Sequence, residues 1–277
     1  MKMDILKKVL KALGLYSLIR QIVNSFRKKH PLQKIKIDKR YDYRHLGTDY
    51  GGWTFLESEK LHNSTIISAG LGEDASFDVE FAKNYGATVL IIDPTPRAIN
   101  HYNEIRNSIG SKKTLEYIES GRQPIEAYDL DGVKEEQLIL VPKALWNDEG
   151  NLKFFSPKNK KNVSHSINNY QNEYKQDTDH INVEATTLSK LAEEFSLDLN
   201  SIELIKLDIE GAEIEVIENL LENNIYPRQI CVEFDELINN SDTAHDRVSF
   251  IHKKLMDRGY RCIHTDGVTD FLYIIEE

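Results

Sequence analysis

The chain has 277 residues, 40% hydrophobic and 29% charged, with 14 Gly and 7 Pro, the balance of a globular protein with a sizeable core; a collagen-like or wholly disordered chain is excluded. A net charge of -10 argues against general nucleic-acid binding, which needs clustered Lys and Arg to displace counterions. The two cysteines, Cys231 and Cys262, sit in apolar strand-like runs and cannot build a stapling framework, so a reducing, cytoplasmic setting is expected.

Residues 1–30 hold eight basic side chains against the lone Asp4, a net +7 that leaves -17 for the remainder. Ile5, Leu6, Val9, Leu10 and Leu13, then Leu15, Ile19, Ile22, Val23 and Phe26 after Gly14, recur at helical spacing, which predicts one or two basic amphipathic helices. No apolar run reaches the roughly 20 residues of a bilayer span, and no cleavage-site pattern marks a secretory signal. Two readings of the segment stand: it docks on the core or on a partner subunit in a homodimer, or it lies on anionic lipid and makes the protein a peripheral one on the inner face of the membrane.

Residues 31–49 read as a connector into a main domain spanning 50–277. There an apolar run at 65–69, a helical stretch at 75–85 and a second apolar run at 88–92 form a strand, helix, strand unit. A helix at 97–108 and a strand at 137–141 follow. Residues 152–155 and 181–185 read as a peripheral hairpin around a long polar loop, 158–180. The chain continues with a helix at 188–195, a strand at 204–207, a helix at 213–223, a strand at 229–234, a helix at 247–258 and two strands, 260–264 and 271–275, joined by a turn at Asp266 and Gly267. This alternation predicts a doubly wound, mainly parallel α/β sheet with one antiparallel strand.

In such sheets ligands bind at the carboxyl ends of the strands. Gly70 and Gly72, in S-A-G-L-G-E-D, follow the first strand and let backbone approach a ligand; an ordinary tight turn would look the same. Asp93 closes the second strand about 20 residues later, the spacing at which a carboxylate reaches ribose hydroxyls, although a cap ahead of Pro94 and Pro96 also explains it. Together they point to an adenosine-type ligand. In K-L-D-I-E-G-A-E, Asp208 ends a strand while Glu210 and Glu213 crowd the turn into the next helix, and C-V-E-F-D puts Glu233 and Asp235 on the same rim. Carboxylates so crowded must cap, pair, bind a metal or bind substrate.

The stretch L-I-K-L-D-I-E-G-A-E-I-E-V-I, followed by an apolar strand ending in Glu, resembles the diagnostic segment of the FkbM family of S-adenosylmethionine-dependent methyltransferases. The likeness runs from about Tyr50 to Ile275 and includes D-Y-G-G-W-T-F, A-L-W-N-D-E-G-N-L-K-F from Ala144 and S-H-S-I from Ser164. It implies a class I, Rossmann-like methyltransferase fold with strand order 3-2-1-4-5-7-6 and methyl transfer to a hydroxyl oxygen, often on a sugar. In the cofactor site it implies Ser68, Gly70, Gly72, Glu73, Asp93, Pro94 and Asp208, with Ala144 and Leu145 on the adenine face or equally in the core. Ser68 stands where many relatives have an acidic residue, and Asp74 where a third glycine often falls, so the methionine end is held differently.

In that fold the last strand lies between the two cysteine-bearing strands, which separates Cys231 from Cys262 and makes a disulfide implausible. Candidate general bases are Asp208, Glu233 and His165, the last also explicable as a solvated loop residue. Tyr50, Trp53 and Glu210 are candidates for the substrate side, Tyr50 and Trp53 with purely structural aromatics as the alternative. Two other functions compete: a metal-dependent hydrolase using Asp208, Glu210, Glu233 and Asp235, against which no spaced ligand motif is present, and a non-catalytic binding module that retains the fold. The expected cofactor is S-adenosylmethionine, with no metal.

Overall fold

A computed structural model describes residues 29–156, 178–238 and 242–276. The basic amphipathic segment before Lys29 and the loop bearing His165 lie outside the described residues. Among those described, no helix is long and apolar enough to cross a membrane.

The segment read as a connector is packed on the body. A 3-10 turn at Pro31–Lys34 buries Leu32, and strands β1 (Tyr43–Leu46) and β2 (Trp53–Leu56) pair antiparallel. Their short, polar-interrupted runs carry too little alternation to be read as strands from sequence. Then come β3 (Thr65–Ala69), helix α1 (Ser76–Tyr85), β4 (Thr88–Ile92), α2 (Pro96–Asn107) and β5 (Leu138–Val141). The predicted peripheral hairpin is β7 (Gly150–Phe155) against β8 (His180–Thr186), enlarged by β6 (Ala144–Leu145), which pairs parallel to β8. The chain closes with α3 (Leu188–Phe195), β9 (Leu204–Leu207), α4 (Glu213–Glu222), β10 (Gln229–Glu233), α5 (Asp242–Asp257), β11 (Tyr260–Thr265) and β12 (Asp270–Ile275).

Seven strands form one sheet in the order β5-β4-β3-β9-β10-β12-β11, with β12 antiparallel to both neighbours and the other pairings parallel. Counted along the sheet's own strands this is 3-2-1-4-5-7-6, the order the family resemblance implies. Both faces are covered, as a parallel sheet requires. Successive residues of T-V-L-I-I in β4 show why: Val89 and Ile91 join the cluster of Phe55, Phe77 and Phe81, while Leu90 and Ile92 join that of Leu191, Ile217 and Leu220 on the other face. In α1, Phe77, Phe81 and Tyr85 stand four residues apart on one side of the helix. Phe55 of β2 packs against all three rings, with centroids 5.3 to 6.1 Å away. The helix stops at Gly86, whose φ of 61° supplies the left-handed C-terminal residue.

β12 lies between β10 and β11 and keeps the free thiols of Cys231 and Cys262 on separated strands. Burial pushes the Cys231 thiol far up and that of Cys262 to about 12. We expect native protein to show almost no reaction with an aromatic disulfide reagent at pH 8, and two reactive thiols per chain after unfolding without reductant; a single thiol or none in the unfolded chain contradicts the fold.

Candidate active site

Register lines up one residue from each of five adjacent strands along the carboxyl rim. Asp93 follows β4, Gly70 follows β3, Asp208 follows β9, Glu233 ends β10 and Asp270, its antiparallel partner, begins β12. Above this row lies a cavity of about 630 Å³. Of the residues singled out in the sequence, Tyr50, Trp53, Gly70, Gly72, Glu73, Asp93, Pro94, Ala144, Leu145, Asp208, Glu210, Glu233 and Asp235 all line it. Ser68 does not: it is fully buried, in register with Lys206 on the neighbouring strand. Side chains alternate along a strand, so both project to the same face, and only the long lysine stem reaches back to the cavity.

The two glycines differ in what demands them. Gly70 has φ +87°, and a Cβ there would sit 1.7 Å from the carbonyl oxygen of Asp208; the end of β9 is simply too close for a side chain. Gly72 has φ +58° and nothing within 4 Å of the position a Cβ would take, so the turn presents bare backbone to open space. The amides of this turn are turned inward. Leu71 and Gly72 donate to Asp93 Oδ2 at 2.9 and 3.0 Å, and Thr95 donates its amide and hydroxyl to Oδ1 at 2.8 and 2.7 Å. A carboxylate offers about four acceptor positions, and here all four are filled from within the chain.

Asp74, in the place of a third glycine, accepts from Ser76 N, Thr48 Oγ1 and Gln123 Nε2, and a Cβ on Gly51 would strike its carboxyl group. It thus fixes the D-Y-G-G-W entry against the rim. Glu73 is held between Arg97 and Arg122. Tyr50 is 66% exposed at the mouth, its ring lying over Gly121, whereas Trp53 is 5% exposed and packs in the aromatic core as well as in the wall. Ala144 and Leu145 are likewise both core and wall.

Past β9 the backbone turns at Glu210 and Gly211, with φ of 56° and 94°. The fully buried Glu213 carboxylate secures this turn, accepting from Ile209 N at 2.7 Å and Gly211 N at 2.9 Å. Glu213 therefore serves the backbone, and Asp208 and Glu210 are the residues it presents. The terminal hairpin adds two residues that fall between the predicted turn at Asp266 and Gly267 and the predicted strand at 271–275: Thr269 Oγ1 lies 3.1 Å from both Glu233 Oε1 and Asp270 Oδ1. Burial, then Asp208 and Asp235, push the Glu233 carboxyl up to about 11; burial, then Asp266 and Asp208, push Asp270 to about 7. Burial, then Glu210 and Glu213, raise Asp235 well above the usual carboxylate range. Among the described residues no group of three or more His, Cys, Asp or Glu is arranged to hold a metal ion, so the hydrolase alternative finds no ligand set there.

Two predictions come from this geometry. A carboxyl with a raised folded pKa costs the fold nothing below its ordinary value of 4.5 and progressively more as the pH climbs toward about 11. Glu233→Gln is therefore expected to raise the melting temperature at pH 8 and to lose that gain as the pH falls to 4.5; a gain independent of pH refutes the assignment. Asp93→Ala, which orphans four donors, is expected to lower the unfolding free energy by about 3 kcal/mol or more in urea titration.

A search of the curated proteins returns no match. The family model described as the methyltransferase FkbM domain matches residues 61–262, a span that starts just before β3 and ends within β11. It contains the glycine turn, Asp93 and the Asp208 turn, and the chain belongs to the FkbM methyltransferase family.

Proposed function

We propose that the protein is an S-adenosylmethionine-dependent O-methyltransferase acting on a hydroxyl group, of a carbohydrate or glycan. The observation that carries this reading is the bare Gly72 turn and the Asp208 carboxylate facing one cavity from neighbouring strand ends. The open space at Gly72 and the acid-rich wall fit a ligand with an adenosine body and a sulfonium charge. When bound, the cofactor supplies an electrophilic methyl group.

Every other requirement falls on the chain. Asp93 shapes the glycine turn through its four hydrogen bonds, and Pro94, Ala144 and Leu145 supply apolar wall for the nucleoside. Tyr50 at the mouth and Glu210 on its left-handed turn are placed to hold a polyhydroxyl acceptor. The Asp208 carboxylate, facing the cavity from the end of β9, would take the proton of the acceptor hydroxyl. Burial and its acidic neighbours raise the Glu233 carboxyl, which favours Asp208 over Glu233 as the base. Positioning of the acceptor hydroxyl by these residues would supply much of the acceleration. Lipid contact through residues 1–30 belongs to the same proposal, since a glycan acceptor carried on lipid would be met at an anionic surface.

Isothermal titration of the full chain with S-adenosylmethionine is expected to give micromolar binding, weakened about tenfold or more in Gly72→Leu, where the new side chain enters the cavity. Asp208→Asn is expected to keep cofactor affinity within a few-fold while lowering methyl transfer to a panel of hydroxyl acceptors by about 10² or more. No binding to the wild-type chain overturns the proposal, and undiminished turnover in Asp208→Asn removes Asp208 as the base.

A further inference from the structure

The amino-acid end of the cofactor brings both an ammonium and a carboxylate into the cavity, and the carboxylate needs a donor. The obvious donors are already committed. Leu71 N and Gly72 N go to Asp93, Asp74 N to Leu71 O, Ala75 N to the Tyr128 hydroxyl, and Ser76 N to the Asp74 carboxylate. The glycine turn and the start of α1, which in principle form an anion site, therefore offer little to one here.

The side chains of the wall narrow the choice further. Among the described residues lining the cavity there are ten carboxylates and a single basic side chain, Lys206. It is 4% exposed, donates to the carbonyl oxygen of Gly70, lies 3.6 Å from Asp208 Oδ2 and faces the Trp53 ring 5.8 Å away. An ammonium has three hydrogens. One is taken by Gly70, and Asp208 stands beyond hydrogen-bonding distance, so capacity remains for another acceptor. Its register partner is Ser68, which is buried away from the cavity, and the buried Asp78 beneath is acted on by the lysine's charge.

We propose that Lys206 binds the α-carboxylate of the cofactor's amino-acid end. This rests on the methyltransferase reading above. Lys206 then has two tasks, tying Gly70 to the Asp208 strand end and orienting the methionine arm, so that the methyl group is presented between the glycine turn and Asp208.

The test is calorimetric and needs no acceptor. S-adenosylmethionine, its decarboxylated analogue and methylthioadenosine, which lacks the whole amino-acid end, are titrated into the full-length wild type, Lys206→Met and Lys206→Arg. A charge-assisted hydrogen bond corresponds to about ten- to hundredfold in affinity. The wild type is expected to prefer the carboxylate-bearing ligand by that factor, Lys206→Met to lose the preference while binding the decarboxylated analogue within about threefold of wild type, and Lys206→Arg to keep most of it. Equal wild-type affinity for the two S-adenosyl ligands overturns the assignment without any variant, and so does a preference that survives in Lys206→Met. If methylthioadenosine binds and the carboxylate makes no difference, only the Lys206 assignment fails; if none of the three ligands binds, the methyltransferase reading fails with it.

Discussion

The site depends on how closely β3 and β9 approach at their carboxyl ends. Asp208 donates its amide to Ala69, and its carbonyl oxygen occupies the space a side chain on residue 70 would need. That contact forces a glycine, and the glycine's positive φ swings the following turn across the rim. Asp93, on the far side of β3, then receives the turn's amides. The loop is thus pinned from two neighbouring strands, and the residues it carries are placed by sheet geometry. A carboxylate standing one strand away from the turn is a consequence of register, because parallel pairing brings equivalent ends together.

So much acid in one rim would be costly if every group were ionised and unpaired. The structure avoids that in three ways. Asp93, Asp74 and Glu213 are satisfied by backbone and side-chain donors; Glu73 is ion-paired with Arg97 and Arg122; Glu233 and Asp235 have their pKa values raised by burial and by their neighbours. At the end of β9 stands Asp208, with Lys206 beside it, and Glu210 follows on the next turn. The carboxylates that look alike in sequence therefore separate into turn-holders, ion-paired groups, acids whose pKa values burial and like charges raise, and Asp208, the base in the proposed function.

The sheet was legible because its strands are short apolar runs punctuated by Gly, Asp and Pro, and because the helices carry a 3.6-residue stripe such as Phe77, Phe81 and Tyr85. Within the site, the rim residues could be read from their positions at strand ends. Their hydrogen bonds could not. The tight-turn reading of Gly72 and the capping reading of Asp93 looked like rivals to a ligand role, yet they are two halves of one hydrogen-bond set joining residues about 20 apart, visible only once β3 and β4 are in register. Lys206 escaped notice because a lysine inside a buried strand reads as an irregularity in the alternation, and Thr269 with Asp270 because a hairpin turn at the chain's end carries no sign of which strand it will lie beside. Tyr50 lies at the cavity mouth, and its ring rests on Gly121, from a loop that no motif marks.

The charge distribution of the cavity also bears on the direction of the reaction. On the proposed function, a sulfonium and an ammonium would be attracted by the acidic wall, while the thioether left after transfer would have lost one positive charge. Such a wall would hold the charged reactant more strongly than the spent cofactor, and a proton taken up by Asp208 would add to this by lowering the negative charge there. Ground-state attraction of that kind does not accelerate the chemical step, since only interactions that strengthen in the transition state do so. It favours exchange of product for fresh cofactor instead. In the proposed reaction, acceleration would have to come from alignment and from the base, and the close approach of Gly70 to Asp208 and the pinned turn are the features on which both would rest.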